Sequence, residues 1–230
     1  MSNNAAIIYA RLSSRRLPRK ALLPLVNETS LIEVVIKRLQ KNDHYKIVLA
    51  TSENSEDDEL ALIAEKYGIL FFRGNLNDVA KRTIDCIDKF SIDYFARING
   101  DSPFIDSSLI ANGFKLVQDN YLDLVTNIFP RSFPYGYSLE VLSAKKFKSL
   151  YSQFEETHRE HITSFYYENI DAMRYLNLST NLDFEQQIRL TIDTETDYIN
   201  IFNLFKSYPD LMELDIYDVV KKYRENNLLC

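Results

Sequence analysis

Cysteine is nearly absent: the 230 residues hold only Cys86 and Cys230, far apart and in no C-x-x-C pattern, which excludes a disulfide framework and a cysteine zinc site. Cys86, inside a helical pattern, reads as a small buried apolar residue, and terminal Cys230 as a free thiol. Glycine and proline are scarce too, at five and six residues, so regular elements rather than long loops must build the fold. No run approaches the roughly eighteen apolar residues that span a bilayer, and Met1-Ser2-Asn3-Asn4 lacks the charged start and apolar body of a secretory signal. The expectation is a cytoplasmic protein with no membrane partner. A basic excess is also missing, and a net charge of −6 argues against a general nucleic-acid binder. Walker A, G-x-G-x-x-G and nucleophile-elbow patterns do not occur, which leaves covalent catalysis without an obvious agent. What remains is 46% hydrophobic and 26% charged, enough for one domain with a sizeable core.

The pattern that is present alternates. Ala5-Ala6-Ile7-Ile8-Tyr9 is a short apolar run of buried-strand character. Ser30 followed by Glu33 makes a capping box, and Leu31, Val34, Val35, Arg38 and Leu39 keep helical spacing behind it. Residues 46–51 read as a second strand, and acidic residues over 53–59 open a helix whose Leu60, Ile63, Ala64 and Tyr67 share one face before Gly68 closes it. Strand, helix, strand and helix follow over 69–72, 77–90, 93–98 and 107–118. This order predicts an α/β fold with a mostly parallel sheet covered on both faces. Beyond Leu122 the rhythm changes. Strands over 124–127 and 139–142 bracket an aromatic, proline-containing loop at 129–136, then come a helical stretch around His158 and His161 and a strand over 174–178. These read as an inserted substrate lobe at about 122–180 within a single domain, 1–230. Residues 189–192 lead into Asp193, and helices over 197–207 and 215–226 end the chain.

Five cations fall within ten residues just after the first strand: Arg11, Arg15, Arg16, Arg19 and Lys20, with Ser13 and Ser14 among them. They lie on the loop leaving a strand's carboxyl end, where open α/β sheets place their ligand crevices. A triphosphate fits such a loop of backbone N–H groups, small hydroxyls and positive charge. A solvated basic surface loop has the same composition. Asp101 and Asp193 each follow an apolar strand, and together they suit one Mg²⁺, which takes one or two protein carboxylates and completes its shell with water and phosphate oxygens. Each alone also suits a cap for the helix that follows. His158 and His161, three apart, fit a metal pair, an anionic acceptor with Arg159, or a decorated surface, and no third ligand has the matching spacing.

In order along the chain, these segments resemble the cytidylyltransferases of the spore-coat polysaccharide SpsF type, relatives of the enzymes that make CMP-activated 3-deoxy-octulosonic and sialic acids. The family's A-R-x-G-S-x-R-L-P-G-K is matched by Ala10-Arg11-Leu12-Ser13-Ser14-Arg15-Arg16-Leu17-Pro18-Arg19-Lys20. Phe72-Arg73-Gly74 with Asp78-Val79, then Arg97-Ile98-Asn99-Gly100-Asp101-Ser102-Pro103, the stretch 131–140, Arg159-Glu160-His161-Ile162-Thr163, and Thr191-Ile192-Asp193-Thr194 with Asp197 follow in family order. The resemblance covers nearly the whole chain. It implies a Rossmann-like nucleotidyltransferase sheet flanked by helices, with the inserted lobe serving substrate binding and dimerisation.

By the same resemblance, Arg11, Ser14, Arg16 and Lys20 hold the CTP phosphates, with Ala10, Ser13, Asn99 and Gly100 beside the nucleotide and Arg73 near its base. Asp101 and Asp193 bind Mg²⁺ and form the catalytic set with Arg16 and Lys20. Arg97, Arg131, Glu140, Arg159 and His161 fall where the family handles its acceptor. Ser13 and Arg19 replace two family glycines, in a loop where glycine lets backbone approach phosphate or take positive φ, while Tyr135 and Ser138 stand where relatives often carry Asp. The implied reaction is in-line attack of an acceptor oxygen on the α-phosphorus of CTP with loss of pyrophosphate. The implied acceptor is an acidic sugar of the 3-deoxy-ulosonic or nonulosonic type, for surface polysaccharide. A phosphorylated alcohol or phosphonate acceptor on the same fold, and a non-catalytic nucleotide-binding scaffold, are the alternatives. A homodimer paired through 122–142 completes the expectation.

Overall fold

Strand β1 (Asn4–Tyr9) is fully buried from Ala5 to Ile8 because both faces of the sheet are covered, which is why those residues are continuously apolar instead of alternating. Ala6 and Ile8 enter one core while Ala5 and Ile7 enter the other, and each fully buried isoleucine contributes about 1.5–3 kcal/mol. The computed structural model describes residues 2–180 and 188–227. After β1 come β2 (Pro24–Val26), β3 (Thr29–Ser30), α1 (Leu31–Leu39), β4 (Lys46–Ser52), α2 (Asp58–Lys66), β5 (Leu70–Gly74), α3 (Val79–Phe90), β6 (Tyr94–Asn99) and α4 (Ser107–Asp119). Then follow β7 (Leu124–Thr126), β8 (Glu140–Ser143), α5 (Ala144–Leu150), α6 (Glu156–Glu160), α7 (Ser164–Glu168), β9 (Tyr175–Asn177), α8 (Glu195–Ser207) and α9 (Ile216–Asn227).

Among the described residues, seven strands form one sheet in the order β5-β4-β1-β6-β8-β7-β9. β5, β4, β1 and β6 run parallel, and β8 alone opposes its neighbours. Residues 122–180 contribute β7, β8 and β9 to this sheet and α5, α6 and α7 to one of its faces. The fold class is therefore the expected α/β one, with a mostly parallel Rossmann-like sheet between helices.

α1 shows how the layers join. Ile32, Val35, Ile36 and Leu39 face the sheet, while Leu31 and Val34 face a third apolar cluster formed with α8 and α9. In that cluster Phe104 stacks on Phe205 at 5.3 Å, and buried Ile188, Leu190 and Ile192 carry the chain toward Asp193. Cys86 is fully buried and free, and burial pushes its thiol up to about 12, as expected of a core residue. Cys230 lies outside the described residues.

Candidate active site

The loop leaving β1 is pinned at both ends. Leu12 and Ala21 are buried in the sheet-facing core, and the Arg19 N–H donates to the Leu12 carbonyl at 2.9 Å, so residues 12–19 close into a ring over the strand ends. The Leu12 N–H itself donates to Asp57 Oδ1 at 2.8 Å. Gly100 presses the exit of β6 against this loop: its N–H donates to the Tyr9 carbonyl at 3.0 Å, and a Cβ there would lie 2.9 Å from Ala10 Cβ. A side chain at Gly100 would push the two loops apart.

Asp101 and Asp193, ninety-two positions apart in sequence, are joined through the backbone as well as through a side chain. The Ile192 N–H donates to the Asp101 carbonyl at 2.9 Å. Lys20 Nζ donates to Asp101 Oδ2 at 2.8 Å, to the Ile192 carbonyl at 2.9 Å and to Asp193 Oδ1 at 3.3 Å, while Arg16 pairs with the other Asp193 oxygen. The capping alternative fails for both aspartates. Asp106 accepts from the Leu109 N–H to cap α4, and Thr194 with Asp197 forms the capping box of α8, so Asp101 and Asp193 are left facing Lys20.

This donor set suits a hard divalent cation. Two carboxylate oxygens and a carbonyl oxygen already converge on the Lys20 ammonium, and among the described residues no histidine or cysteine joins them in a cluster. No cluster of three or more His, Cys, Asp or Glu occurs among the described residues, so a metal here would rest on this pair plus water and phosphate. His158 and His161 form no metal pair. His158 is buried, its Nδ1 accepts from the Glu155 N–H at 3.1 Å, and its Nε2 must then donate to Glu168 Oε2 at 2.8 Å. His161 turns the other way, into the cavity.

That cavity, of about 400 Å³, is lined by Ala10, Arg11, Ser14, Arg16, Lys20, Asn99, Gly100, Asp101, His161 and Asp193, with Tyr9, Arg15, Ala21 and Glu160. A smaller compartment beside it reaches Arg97. Ser13, Arg73, Arg131, Glu140 and Arg159 line neither space. Arg73 donates to the Asn54 carbonyl at 3.1 Å and pairs with Asp58; Arg131 lies over the Tyr135 ring, 4.4 Å from its centroid; and Arg159 sits 3.7 Å from Asp78. Glu140 is buried, pairs with Arg97 at 2.6 Å and accepts from the Tyr167 hydroxyl at 2.9 Å, so it aims Arg97 rather than facing open space. Burial alone would lower the Arg97 pKa, but the adjoining Glu140 charge and hydrogen bond raise it.

The family model for cytidylyltransferases matches residues 5–228. The chain belongs to the cytidylyltransferase family. It is accordingly a nucleotidyltransferase enzyme. The spore coat polysaccharide biosynthesis protein SpsF of Bacillus subtilis (strain 168) is 27% identical to this cytidylyltransferase over 234 residues, covering 98% of this chain and 96% of the relative. A 3-deoxy-manno-octulosonate cytidylyltransferase from Rickettsia bellii (strain OSU 85-389) is 32% identical over 130 residues, 54% of this chain and 51% of its own length. The solved structure of a cytidylyltransferase from Leptospira borgpetersenii serovar Hardjo-bovis (strain JB197) matches with a TM-score of 0.92 at 29% identity, covering 99% of this chain and 96% of that one.

One site residue of this cytidylyltransferase gave no signal in sequence reasoning. Asp57 sits inside an acidic helix start that reads as ordinary dipole chemistry, yet it is 1% exposed and accepts from Leu12 N–H, the Thr51 hydroxyl, and the Ser52 N–H and hydroxyl. Burial pushes the Asp57 carboxyl up, but these hydrogen bonds outweigh it and hold the carboxyl below the usual range. Its burial could not be read from sequence because it depends on β4 and the loop after β1 meeting.

Proposed function

We propose that this cytidylyltransferase transfers CMP from CTP to an acidic sugar, releasing pyrophosphate in an Mg²⁺-dependent reaction. The observation that carries the reading is the single ammonium of Lys20 bridging Asp101 and Asp193 at the mouth of the cationic loop. The name of the 3-deoxy-manno-octulosonate cytidylyltransferase relative favours an acidic-sugar acceptor over the phosphorylated alcohol, and that of the SpsF relative favours a product used for polysaccharide.

In this reading the CTP triphosphate lies along the loop, with Arg11, Arg16 and Lys20 neutralising it and Ala10, Ser13, Ser14, Asn99 and Gly100 beside the nucleotide. Asp101 and Asp193 hold Mg²⁺, which when bound polarises the α-phosphate and offsets its charge. The acceptor hydroxyl oxygen bonds to the α-phosphorus, the bond from that phosphorus to the bridging oxygen breaks, pyrophosphate leaves and the hydroxyl proton passes to solvent. Arg16 and Lys20 stabilise the departing charge, and positioning does most of the rest. His161 and Arg97 face the acceptor side; Lys20 and Arg16 must release Asp101 and Asp193 and turn to phosphate before those carboxylates hold a metal, and Arg73, Arg131 and Arg159 reach ligand only if they leave their present partners. Residues 122–180 serve acceptor binding and pairing of two copies.

The test is pyrophosphate release from each of the four NTPs with Mg²⁺ and a panel of acidic sugars and phosphorylated alcohols. CTP with an acidic sugar is expected to be the productive pair. CTP binding without pyrophosphate release from any acceptor would instead mark a nucleotide-binding scaffold.

A further inference from the structure

Gly136 is where two distant segments touch backbone to backbone. Its φ is 93°, and a Cβ there would stand 2.5 Å from both the Leu190 carbonyl carbon and its oxygen and 2.7 Å from the Thr191 nitrogen, so conformation and space each demand glycine. The contact is a short parallel bridge. The Tyr135 N–H donates to the Ile188 carbonyl at 3.3 Å, and the Leu190 N–H donates to the Tyr135 carbonyl at 2.7 Å. Side chains join the same two segments: the Tyr135 ring centroid lies 4.4 Å from the Arg131 guanidinium and 5.4 Å from that of Arg189. The segment seated in this way runs directly into Asp193.

The same turn holds the segment of the other aspartate. The Tyr137 hydroxyl donates to Asp106 Oδ2 at 2.8 Å, and Asp106 Oδ1 caps α4, so the turn is tied to the point where the chain after Asp101 enters that helix. In between, Ser102, Phe104 and Ile105 are buried, which leaves this stretch little freedom. At its start the Asp101 carbonyl accepts from the Ile192 N–H at 2.9 Å and from the Thr191 hydroxyl at 3.3 Å. The turn is itself anchored. The Tyr137 N–H donates to the Pro134 carbonyl at 3.2 Å, and fully buried Asn127 accepts from the Leu139 N–H at 2.8 Å while donating to the Tyr137 carbonyl at 3.0 Å. Residues 134–137 therefore brace both approaches to the carboxylate pair, although Gly136 and Tyr137 line neither of the two compartments above.

We infer that residues 134–137 set the spacing of Asp101 and Asp193 for their cation, with Gly136 and Tyr137 as positioning residues. The inference rests on the reading of that pair as the Mg²⁺ site and extends it to two residues outside the cavity. Carboxylates from separate loops serve one small hard cation only at a fixed spacing, with oxygens about 2.0–2.1 Å from Mg²⁺. Neither loop fixes that spacing alone. A Cβ at position 136 must push Leu190 away, and the shift passes to Asp193 through Ile192, whose N–H meets the Asp101 carbonyl and whose own carbonyl meets Lys20. Loss of the Tyr137 hydroxyl slackens only the Asp101 side, and by less, because Asp106 keeps its cap on α4.

The probe is Mn²⁺, titrated into the full chain with α,β-methylene-CTP and followed by electron paramagnetic resonance. Affinity for the CTP analogue is measured separately in EDTA, and amide exchange of the peptide spanning 188–193 is measured without metal. Gly136→Ala and Tyr137→Phe are compared with wild type and with Gly68→Ala, whose Cβ would sit at φ of 63° with nothing within 4 Å, so that it shares the backbone strain without the crowding. Gly136→Ala is expected to weaken Mn²⁺ binding by about tenfold or more, and Gly68→Ala to leave it unchanged. Tyr137→Phe should weaken it by about threefold. Analogue affinity in EDTA should hold throughout, and exchange over 188–193 should quicken in Gly136→Ala but not in Gly68→Ala. If Gly136→Ala does not fold, the Mn²⁺ affinity of Tyr137→Phe decides. Equal Mn²⁺ affinity in Gly136→Ala and Gly68→Ala, or an equal fall in analogue affinity, would overturn the inference. Should wild type bind no Mn²⁺, or Asp101→Asn bind it as tightly as wild type, the metal reading fails by itself. Faster exchange over 188–193 in Gly136→Ala would then still support the seating of the Asp193 segment by the turn, and unchanged exchange would overturn that as well.

Discussion

Arg19 shows how one side chain can depart from a family pattern and still respect the physics behind it. The resemblance places a glycine there, and the backbone at Arg19 is indeed left-handed, with φ of 57°. Arg19 pairs with Glu59 at 2.5 Å, but both side chains are about half exposed, so the ion pair offsets little of the conformational penalty. Arg19→Gly is therefore expected to exceed Arg19→Ala in stability by about 1 kcal/mol in urea unfolding, since only the alanine must hold a Cβ at positive φ. Equal stabilities would mean that the loop relaxes out of that conformation when the arginine is removed. Legibility at this scale is uneven. The cations and the two aspartates stood out by type and position, whereas Asp57 looked like an ordinary helix-start residue because its burial, which sets it apart, is not a local property.

At the scale of elements, the capping box before α1 was readable and the tight turns were not. Ser30 N–H donates to Glu33 Oε2 at 2.8 Å, which is the signal the sequence displays before α1. β2 and β3 went unseen because their turn, Asn27-Glu28, takes φ of 44° and 65° without the glycine that usually marks such hairpins. Glu33 also makes a pH prediction. Burial pushes its carboxyl up, but hydrogen bonds from Lys66, Ser30 and Tyr67 prevail and hold its pKa at about 2, against an ordinary value of 4.5. A depressed carboxylate pKa stabilises the fold above the unfolded value, and that stabilisation is lost as pH falls through the folded one. Stability should thus decline between pH 4.5 and about 2, and Glu33→Gln should lose part of that slope when unfolding is followed by circular dichroism across this window. An unchanged slope in Glu33→Gln would assign the acid sensitivity to other carboxylates.

For the whole molecule, the strand-helix alternation up to α4 gave the parallel half of the sheet, because each apolar run there is buried on both faces. The remaining half was harder, since β7, β8 and β9 are only three or four residues long and their placement depends on pairing across distant segments. The meeting of residues 101 and 193 belongs to this scale too: spacing alone allowed two capping aspartates, and only the tertiary fold, with Ile188, Leu190 and Ile192 packed against α8 and α9, aims both at Lys20. The described surface leaves Tyr121, Phe129, Tyr135 and Tyr175 exposed. Two copies pairing through this aromatic region should sediment at twice the chain mass, and Tyr135→Ser should shift the balance toward single chains. A wild-type protein that sediments at the mass of one chain would remove the dimer from the proposal.

The most direct measurement is turnover of Asp101→Asn and Asp193→Asn, followed as pyrophosphate release from CTP with Mg²⁺ and an acidic sugar, alongside thermal melts of both variants. Each variant should lose about a hundredfold or more in turnover while melting close to wild type, because each removes one of two carboxylates aimed at the same cation without removing a buried apolar contact. Full turnover in either variant would contradict a catalytic centre built on that pair.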